Sequence, residues 1–148
     1  MTPSVAPSVD LWLLLEQAEA VPVGRAANDF DVAMAVSVGL PIVVLRRLLE
    51  LRVLEVADVP LIMPMRTFKR REATRSRLTT DESDRVVRMV KLTVVACEAL
   101  GGTERGTRWL RTPNAALRGF RPLDCGRTSI GALVVTQILG RINHGIGF

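Results

Sequence analysis

The sequence is poor in the residues from which catalytic and metal sites are built. It has no tyrosine, one histidine (His144) and two cysteines in 148 residues. Cys97 and Cys125 lie far apart without a CxxC spacing, which argues against a zinc site or a disulfide framework and favours reduced thiols in the cytoplasm. P-loop and dinucleotide-binding glycine motifs are absent, and a lone histidine offers no ready nucleophile–base pair. We therefore expect no catalytic residue, no metal and no cofactor.

Long apolar runs are also missing. None reaches the roughly 18–20 residues that cross a bilayer. The first ten residues lack the basic and continuous apolar regions of a signal peptide. Hydrophobic residues nevertheless make up 48% of the chain, which is enough for a folded core. These features predict a cytoplasmic protein without membrane association, built as one domain or two very small ones.

Apolar residues recur at helical spacing, and no alternating strand pattern competes with them. The predicted helices cover about residues 10–20, 32–38, 41–50, 55–61, 64–71, 80–100, 103–110 and 128–142. Thr79 and Glu82 form a capping-box pattern before the longest helix. Trp109 is expected to be buried against that helix and the last one. In the last helix the apolar series is Ile130, Leu133, Val134, Ile138 and Ile142, and Gly131 and Gly140 would permit close approach by another chain. The sequence thus predicts an all-α fold.

Positive charge is concentrated between Arg66 and Arg77, where six basic residues accompany one acid, Glu72. A short predicted helix at 55–61 precedes this cluster, and a second one at 64–71 carries part of it. A tight connection joins the two, as in a helix-turn-helix. Local basic density is what phosphate neutralisation requires. The DNA-binding candidates are Arg66, Thr67, Lys69, Arg70 and Arg71. Pro60 interrupts the first of the two helices, so a solvated basic face on a structural domain is the alternative.

The last helix runs into a polar tip, Arg141-Ile142-Asn143-His144-Gly145, three residues before the sequence ends. We interpret the tip as a presented contact element. The alternative is that Arg141 and His144 cap the helix C-terminus, where the helix dipole favours positive charge.

Taken together, these segments resemble a known family. The residues Trp109-Leu110-Arg111-Thr112-Pro113-Asn114-Ala115-Ala116-Leu117, Gly119, Pro122-Leu123, Thr128, Gly131 and Arg141-Ile142-x-His144-Gly145 resemble the toxin-binding domain of Xre/MbcA/ParS-type antitoxins. Gly39-Leu40-Pro41, Ile62, Arg66-Thr67-Phe68-x-Arg70-Arg71 and Leu78-x-x-x-Glu82-Ser83-Asp84-Arg85 resemble the Xre-like helix-turn-helix part. The chain departs from the family at Arg118, where a glycine is usual, at Pro60, and at Cys125-Gly126, where a leucine pair is usual.

The resemblance implies three parts: an N-terminal tail and helix (1–27), an Xre-like helix-turn-helix domain (28–91) and a small helical toxin-binding domain (92–148). It implies a type II antitoxin whose partner is a RES-type toxin that degrades NAD+, or a related ADP-ribosyltransferase. The toxin-binding residues would be Arg141, Asn143, His144 and Gly145, and the structural motif would be Trp109, Leu110, Pro113, Asn114, Leu117 and Gly119. It also implies autorepression at the promoter, as a homodimer within the toxin–antitoxin complex. A stand-alone helix-turn-helix regulator without a toxin is the main alternative, and an enzyme ranks below both.

Overall fold

A computed structural model of the protein describes residues 28–143. Its elements are α1 (Asp29–Val38), α2 (Ile42–Glu50), a 3-10 helix (Val56–Leu61), α3 (Met65–Thr74), α4 (Thr80–Leu100), α5 (Thr103–Arg111), a 3-10 helix (Ala115–Leu117), α6 (Pro122–Cys125) and α7 (Ser129–Asn143). The described residues include no β-strand, so the all-α prediction is confirmed. None of the helices between residues 28 and 143 is long and apolar enough to cross a bilayer. The predicted helix at 10–20, together with His144 and Gly145, lies outside the described residues.

The helix ends follow local signals in the sequence. The Asn28 side chain accepts a hydrogen bond from the Asp31 N–H at 2.9 Å and so caps α1. Gly39 ends this helix with φ +100°, and a Cβ there would lie 2.3 Å from the carbonyl oxygen of Leu78. The capping box before α4 is confirmed, because the Thr79 N–H donates to Glu82 Oε1 at 2.8 Å and the Glu82 N–H donates to Thr79 Oγ1 at 3.2 Å.

The chain divides into two compact units, with the boundary inside α4 between Val87 and Arg88. In the first unit the fully buried side chains include Leu40, Val44, Leu45, Leu48, Leu54, Val59 and Ile62. Two polar side chains tie α4 to this core. The Ser83 hydroxyl accepts from the Leu40 N–H at 2.9 Å, and Arg85 donates to the Ile62 carbonyl oxygen at 3.0 Å.

Pro60 lies in a 3-10 helix rather than in the α-helix expected for residues 55–61. The Glu55 N–H donates to Asp58 Oδ2 at 2.8 Å, which fixes the start of this helix. Proline supplies no N–H, so the carbonyl of Ala57 loses its i+3 donor. Because Ala57 and Pro60 are exposed, water can serve that carbonyl. The proline is therefore compatible with a short helix at this position.

The second unit packs its helices closely at two glycines. A Cβ on Gly106 of α5 would lie 2.6 Å from the backbone nitrogen of Cys97 in α4. A Cβ on Gly131 of α7 would lie 1.9 Å from the carbonyl oxygen of Cys125 in α6. The close approach expected at Gly131 is therefore made by this chain's own backbone, whereas a Cβ on Gly140 would meet no atom within 4 Å.

Burial in the second unit departs from the apolar series expected for α7. In α5, Trp109 is half-buried and its neighbour Leu110 is fully buried. In α7 the buried side chains are Val135, Ile138 and Leu139, while Ile130, Leu133 and Val134 lie exposed. The physical reason is that α7 carries apolar residues on two faces, and only one face can pack on the core.

Candidate functional site

Three cations of α3 point into solvent. Arg66, Lys69 and Arg70 are exposed, and within residues 28–143 none of their side chains forms an ion pair or a hydrogen bond. Lys69 and Arg70 follow Arg66 by three and four residues, which places all three on one side of the helix. Thr67, the fourth predicted DNA-binding residue that α3 carries, is half-buried beside them.

Arg71, the fifth candidate, is used inside the fold. Its guanidinium donates to Glu82 Oε1, and the two side chains are only 14% and 10% exposed. The same carboxylate closes the capping box of α4, so the pair joins α3 to the first turn of α4. The structure therefore brings Arg66, Lys69 and Arg70 together at the surface and keeps Arg71 away from it.

Two further arginines lie at a cavity that Glu72 of α3 also lines. Arg46 of α2 and Arg75 line a cavity of about 350 Å³ together with Pro41, Ile42, Val43 and Glu72. Both arginines are exposed and unpaired among the described residues. Arg75 adopts a left-handed conformation (φ +53°) at the end of α3. Sequence reasoning missed Arg46 as a site residue because it is 20 positions before Arg66, and no local pattern links the two.

The segment after α5 builds a closed loop. The Asn114 side chain accepts from the Ala116 N–H at 2.9 Å and caps a 3-10 turn. The Asn114 backbone also donates to the Phe120 carbonyl at 3.1 Å and accepts from the Gly119 N–H at 2.9 Å. Leu117 is buried beneath the loop, whereas Pro113 is exposed. Asn114 and Gly119 close the loop through hydrogen bonds, and Leu117 is buried.

Arg118 stands in the left-handed region with φ +55° and ψ +33°. This conformation disfavours residues with a Cβ, which explains why a glycine suits the position. Gly119 follows with φ +88°.

Arginines fix the approach to α7. Arg121 donates to both carboxylate oxygens of Asp124, at 2.8 and 2.7 Å, and this pairing lowers the pKa of Asp124. Arg88 donates to the carbonyl oxygens of Gly126 and Arg127, at 3.2 and 2.9 Å. The start of α7 is therefore held by charge-assisted hydrogen bonds. At the other end of α7, Arg141 and Asn143 are both exposed.

The thiols do not form a reactive centre. Burial raises the pKa of the Cys97 thiol above its ordinary value. It raises the pKa of the Cys125 thiol as well. A thiol with a raised pKa is a poor nucleophile near neutral pH. Among residues 28–143 no group of three His, Cys, Asp or Glu side chains is arranged to hold a metal ion.

Comparison with known proteins identifies the family. Residues 96–145 match the antitoxin Xre/MbcA/ParS C-terminal toxin-binding domain. Over 121 residues the chain is 32% identical to a Pseudomonas putida protein described as antitoxin Xre, and the alignment covers 82% of this chain and 76% of that protein. The chain belongs to the Xre antitoxin family. It is also similar to antitoxin Xre proteins of Yersinia enterocolitica (33% over 85 residues, 57% of each chain) and Photorhabdus laumondii (29% over 111 residues, 73% and 75%).

The Xre family match begins within α4 and contains the whole of α5, the closed loop, α6 and α7. The resemblance stated from the sequence is thereby confirmed. The exposed end of α7 and the loop built by Asn114 both lie inside the part of the chain that matches a toxin-binding domain.

Proposed function

We propose that this Xre antitoxin neutralises a RES-type toxin that degrades NAD+, by placing its C-terminal end in the toxin's active site. The observation that carries the proposal is the match of residues 96–145 to a toxin-binding domain. The residues assigned to the toxin are Arg141, Asn143, His144 and Gly145. An ADP-ribosyltransferase related to RES toxins is the alternative partner, because it uses the same dinucleotide.

The chemistry of this tip suits a dinucleotide cleft. A site that binds the pyrophosphate of NAD+ must offer cations or hydrogen-bond donors. The Asn143 side-chain oxygen and backbone carbonyls after α7 can accept from such donors. The Arg141 guanidinium can bind a toxin carboxylate with two hydrogen bonds. The tip would thus compete with NAD+ for groups that the toxin needs for substrate binding.

Deleting residues 143–148 tests the inhibitory role of the tip. The last fully buried side chain of α7 is Leu139, so the deletion removes no core residue among those described. We expect the shortened protein to fold and to co-purify with the toxin at reduced affinity, while the toxin regains its activity. The measurement is growth and cellular NAD+ on co-expression with the toxin encoded by the neighbouring reading frame.

Matched single variants refine that experiment. Arg141→Ala should also weaken protection, whereas Arg127→Ala, which removes another exposed arginine of the same unit, should not. A folded shortened protein that still protects fully would show that the tip is not the inhibitory element, and the helix-cap interpretation of Arg141 and His144 would then be preferred. Failure of the full-length protein to bind the toxin would refute the whole proposal.

We also propose that the first unit binds the promoter of its own operon, as a homodimer within the toxin–antitoxin complex. Support comes from Arg66, Lys69 and Arg70, which are exposed and unpaired among the described residues, and from Arg75 and Arg46, which line one cavity beside Glu72 of the same helix. A dimer would present two such faces to the half-sites of a palindromic operator. Arg71 would support the helix through Glu82 rather than contact DNA.

Salt dependence of promoter binding separates these roles. Arg66→Ala with Arg70→Ala should weaken binding, and losing two phosphate contacts should reduce the slope of log K against log salt by about 1.8. Arg71→Ala should instead lower the melting temperature, because the largely buried Glu82 carboxylate loses its partner. An unchanged affinity and slope in the folded double variant would remove the DNA proposal. Promoter binding without any toxin binding by the full-length chain would favour the stand-alone regulator.

A further inference from the structure

Helix α7 carries an apolar face that the core does not use. Its buried side chains are Val135, Ile138 and Leu139. Ile130 is 69% exposed, Leu133 51% and Val134 40%. Isolated exposed aliphatic residues are ordinary, whereas a contiguous exposed apolar patch marks an interaction surface.

The exposed residues form a continuous line along the helix. Ile130, Val134, Gln137 and Arg141 are separated by four, three and four residues, a spacing that keeps them on one side of an α-helix. Leu133 lies beside Ile130 and Gln137 on the same side. At about 1.5 Å per residue the line extends for about 16 Å, from the first turn to the polar tip. We call Ile130, Leu133, Val134 and Gln137 the α7 stripe.

Gly140 lies beside the end of the α7 stripe and leaves space there. Apart from the backbone of α7 itself, a Cβ on this residue would meet no atom of residues 28–143 within 4 Å. In contrast to Gly131, which accommodates the chain's own backbone, Gly140 serves no close contact inside the fold. A glycine that weakens a helix without an internal packing role is suited to the close approach of another molecule.

We infer that the α7 stripe is the surface that holds the toxin, and that it is distinct from the tip that inhibits it. This inference rests on the proposed function. One observation and the proposed function together select the toxin as the occupant. The stripe lies inside the segment that matches a toxin-binding domain. It also leads along one helix face to Arg141, which is proposed above to enter the toxin's active site. Burial of the apolar side chains of the stripe against the toxin provides affinity. The tip buries little surface area but occupies the toxin's active site.

Such a division has a physical consequence for inhibition. A polar tip that replaces substrate in a hydrated cleft gains little net free energy, because it exchanges hydrogen bonds with water for hydrogen bonds with the toxin. The apolar stripe gains free energy by leaving water altogether. Anchoring by the stripe raises the effective concentration of the tip at the cleft, so a weakly binding tip can still block the site.

The test uses the full-length protein and the toxin encoded by the neighbouring reading frame. Ile130→Ser combined with Leu133→Ser should weaken the complex about 100-fold, as loss of a central apolar contact does. The free variant should melt like the parent, because both side chains are already exposed. Glu98→Ala serves as the control, since Glu98 is an exposed residue of the same unit that lies in α4 and not in α7, and the affinity of this variant should stay within about threefold of the parent value.

A second variant tests the space at Gly140. Gly140→Met adds a flexible, helix-compatible side chain where the free protein has room, so we expect a folded protein with weakened toxin binding. Parental affinity in both the double variant and Gly140→Met would overturn the inference while leaving the proposed function intact. It would equally be overturned if the double variant kept the toxin but lost self-association in sedimentation, since the stripe would then join two copies of the chain. If the parent protein itself binds no toxin, the proposed function fails first.

Discussion

Gly106 is the position at which a single methyl group should do most damage to the second unit. An alanine Cβ there would lie 2.6 Å from the nitrogen, 2.7 Å from the Cα and 2.8 Å from the Sγ of Cys97. Two of these three atoms are backbone atoms of α4, so a change of side-chain rotamer cannot make room. Helix α5 would have to move away from α4 by roughly 1 Å to restore ordinary contact distances.

The expected cost of Gly106→Ala follows from two opposing effects. Alanine is favoured over glycine inside a helix by about 1 kcal/mol. Overpacking a tight contact costs about 1–3 kcal/mol, and the upper end applies where backbone must move. The free energy of unfolding should therefore fall by about 2 kcal/mol. For a protein of this size that corresponds to a decrease in melting temperature of about 4–8 °C.

Gly140→Ala is the matched control, because it makes the same chemical change at a helical glycine with open space around it. Only the propensity gain remains there, so stability should rise by about 0.5–1 kcal/mol. Thermal melts followed by circular dichroism give both values. The reasoning would be refuted if Gly106→Ala melted at or above the parent temperature. Rescue of Gly106→Ala by Cys97→Ala would also contradict it, because the backbone contacts would persist.

Three other predictions concern the same unit. Arg118→Gly should raise the free energy of unfolding in urea by about 1 kcal/mol, since glycine removes the strain of φ +55°, and an unchanged value would mean that the arginine makes a compensating contact. Leu110→Ala should cost about 2–5 kcal/mol and the half-buried Trp109→Ala less than that, so the reverse order would contradict the burial described. At pH 8 a disulfide reagent should modify Cys125 before Cys97, because burial raises the pKa of both thiols and Cys97 is the more buried of the two. Equal rates of modification would show that α5 separates readily from α4.

Helix boundaries could be predicted from the sequence because their causes are local. Asn28 caps α1 through a residue three positions away, and Gly39 ends the same helix by adopting a positive φ. Thr79 and Glu82 satisfy each other's backbone groups within one turn. The family motif was accessible for the same reason, since the loop around Asn114 closes through hydrogen bonds that span at most six residues.

The choice between two apolar faces could not be predicted. In α7 the series beginning at Ile130 and Leu133 has helical spacing, but so does the series Val135, Ile138 and Leu139. Spacing shows that a face is apolar without showing what covers it. Which face is buried depends on where the neighbouring helices lie, and that is not a local property.

Contacts between residues distant in sequence determine which members of the basic cluster are used inside the fold, and composition does not reveal them. Arg71 finds Glu82 eleven residues away, and Arg77 donates to the Gly39 carbonyl at 2.9 Å, 38 residues away. Arg66, Lys69 and Arg70 remain exposed without such partners in the described part of the chain. The residues proposed to bind DNA are therefore members of this cluster that make no ion pair or hydrogen bond in the described part of the fold. The α7 stripe is similar, because its apolar side chains are not buried in the core.

This common origin makes the two proposed activities experimentally separable. The cations of α3 and the α7 stripe belong to different compact units, and neither set contributes to the buried core. Substitutions at exposed positions change stability little. A variant that has lost promoter binding through Arg66 and Arg70 can therefore report toxin binding in isolation, and a variant altered at Ile130 and Leu133 can report promoter binding. If either variant lost both activities while remaining folded, each would depend on the other, as expected when the toxin complex is the species that binds the promoter.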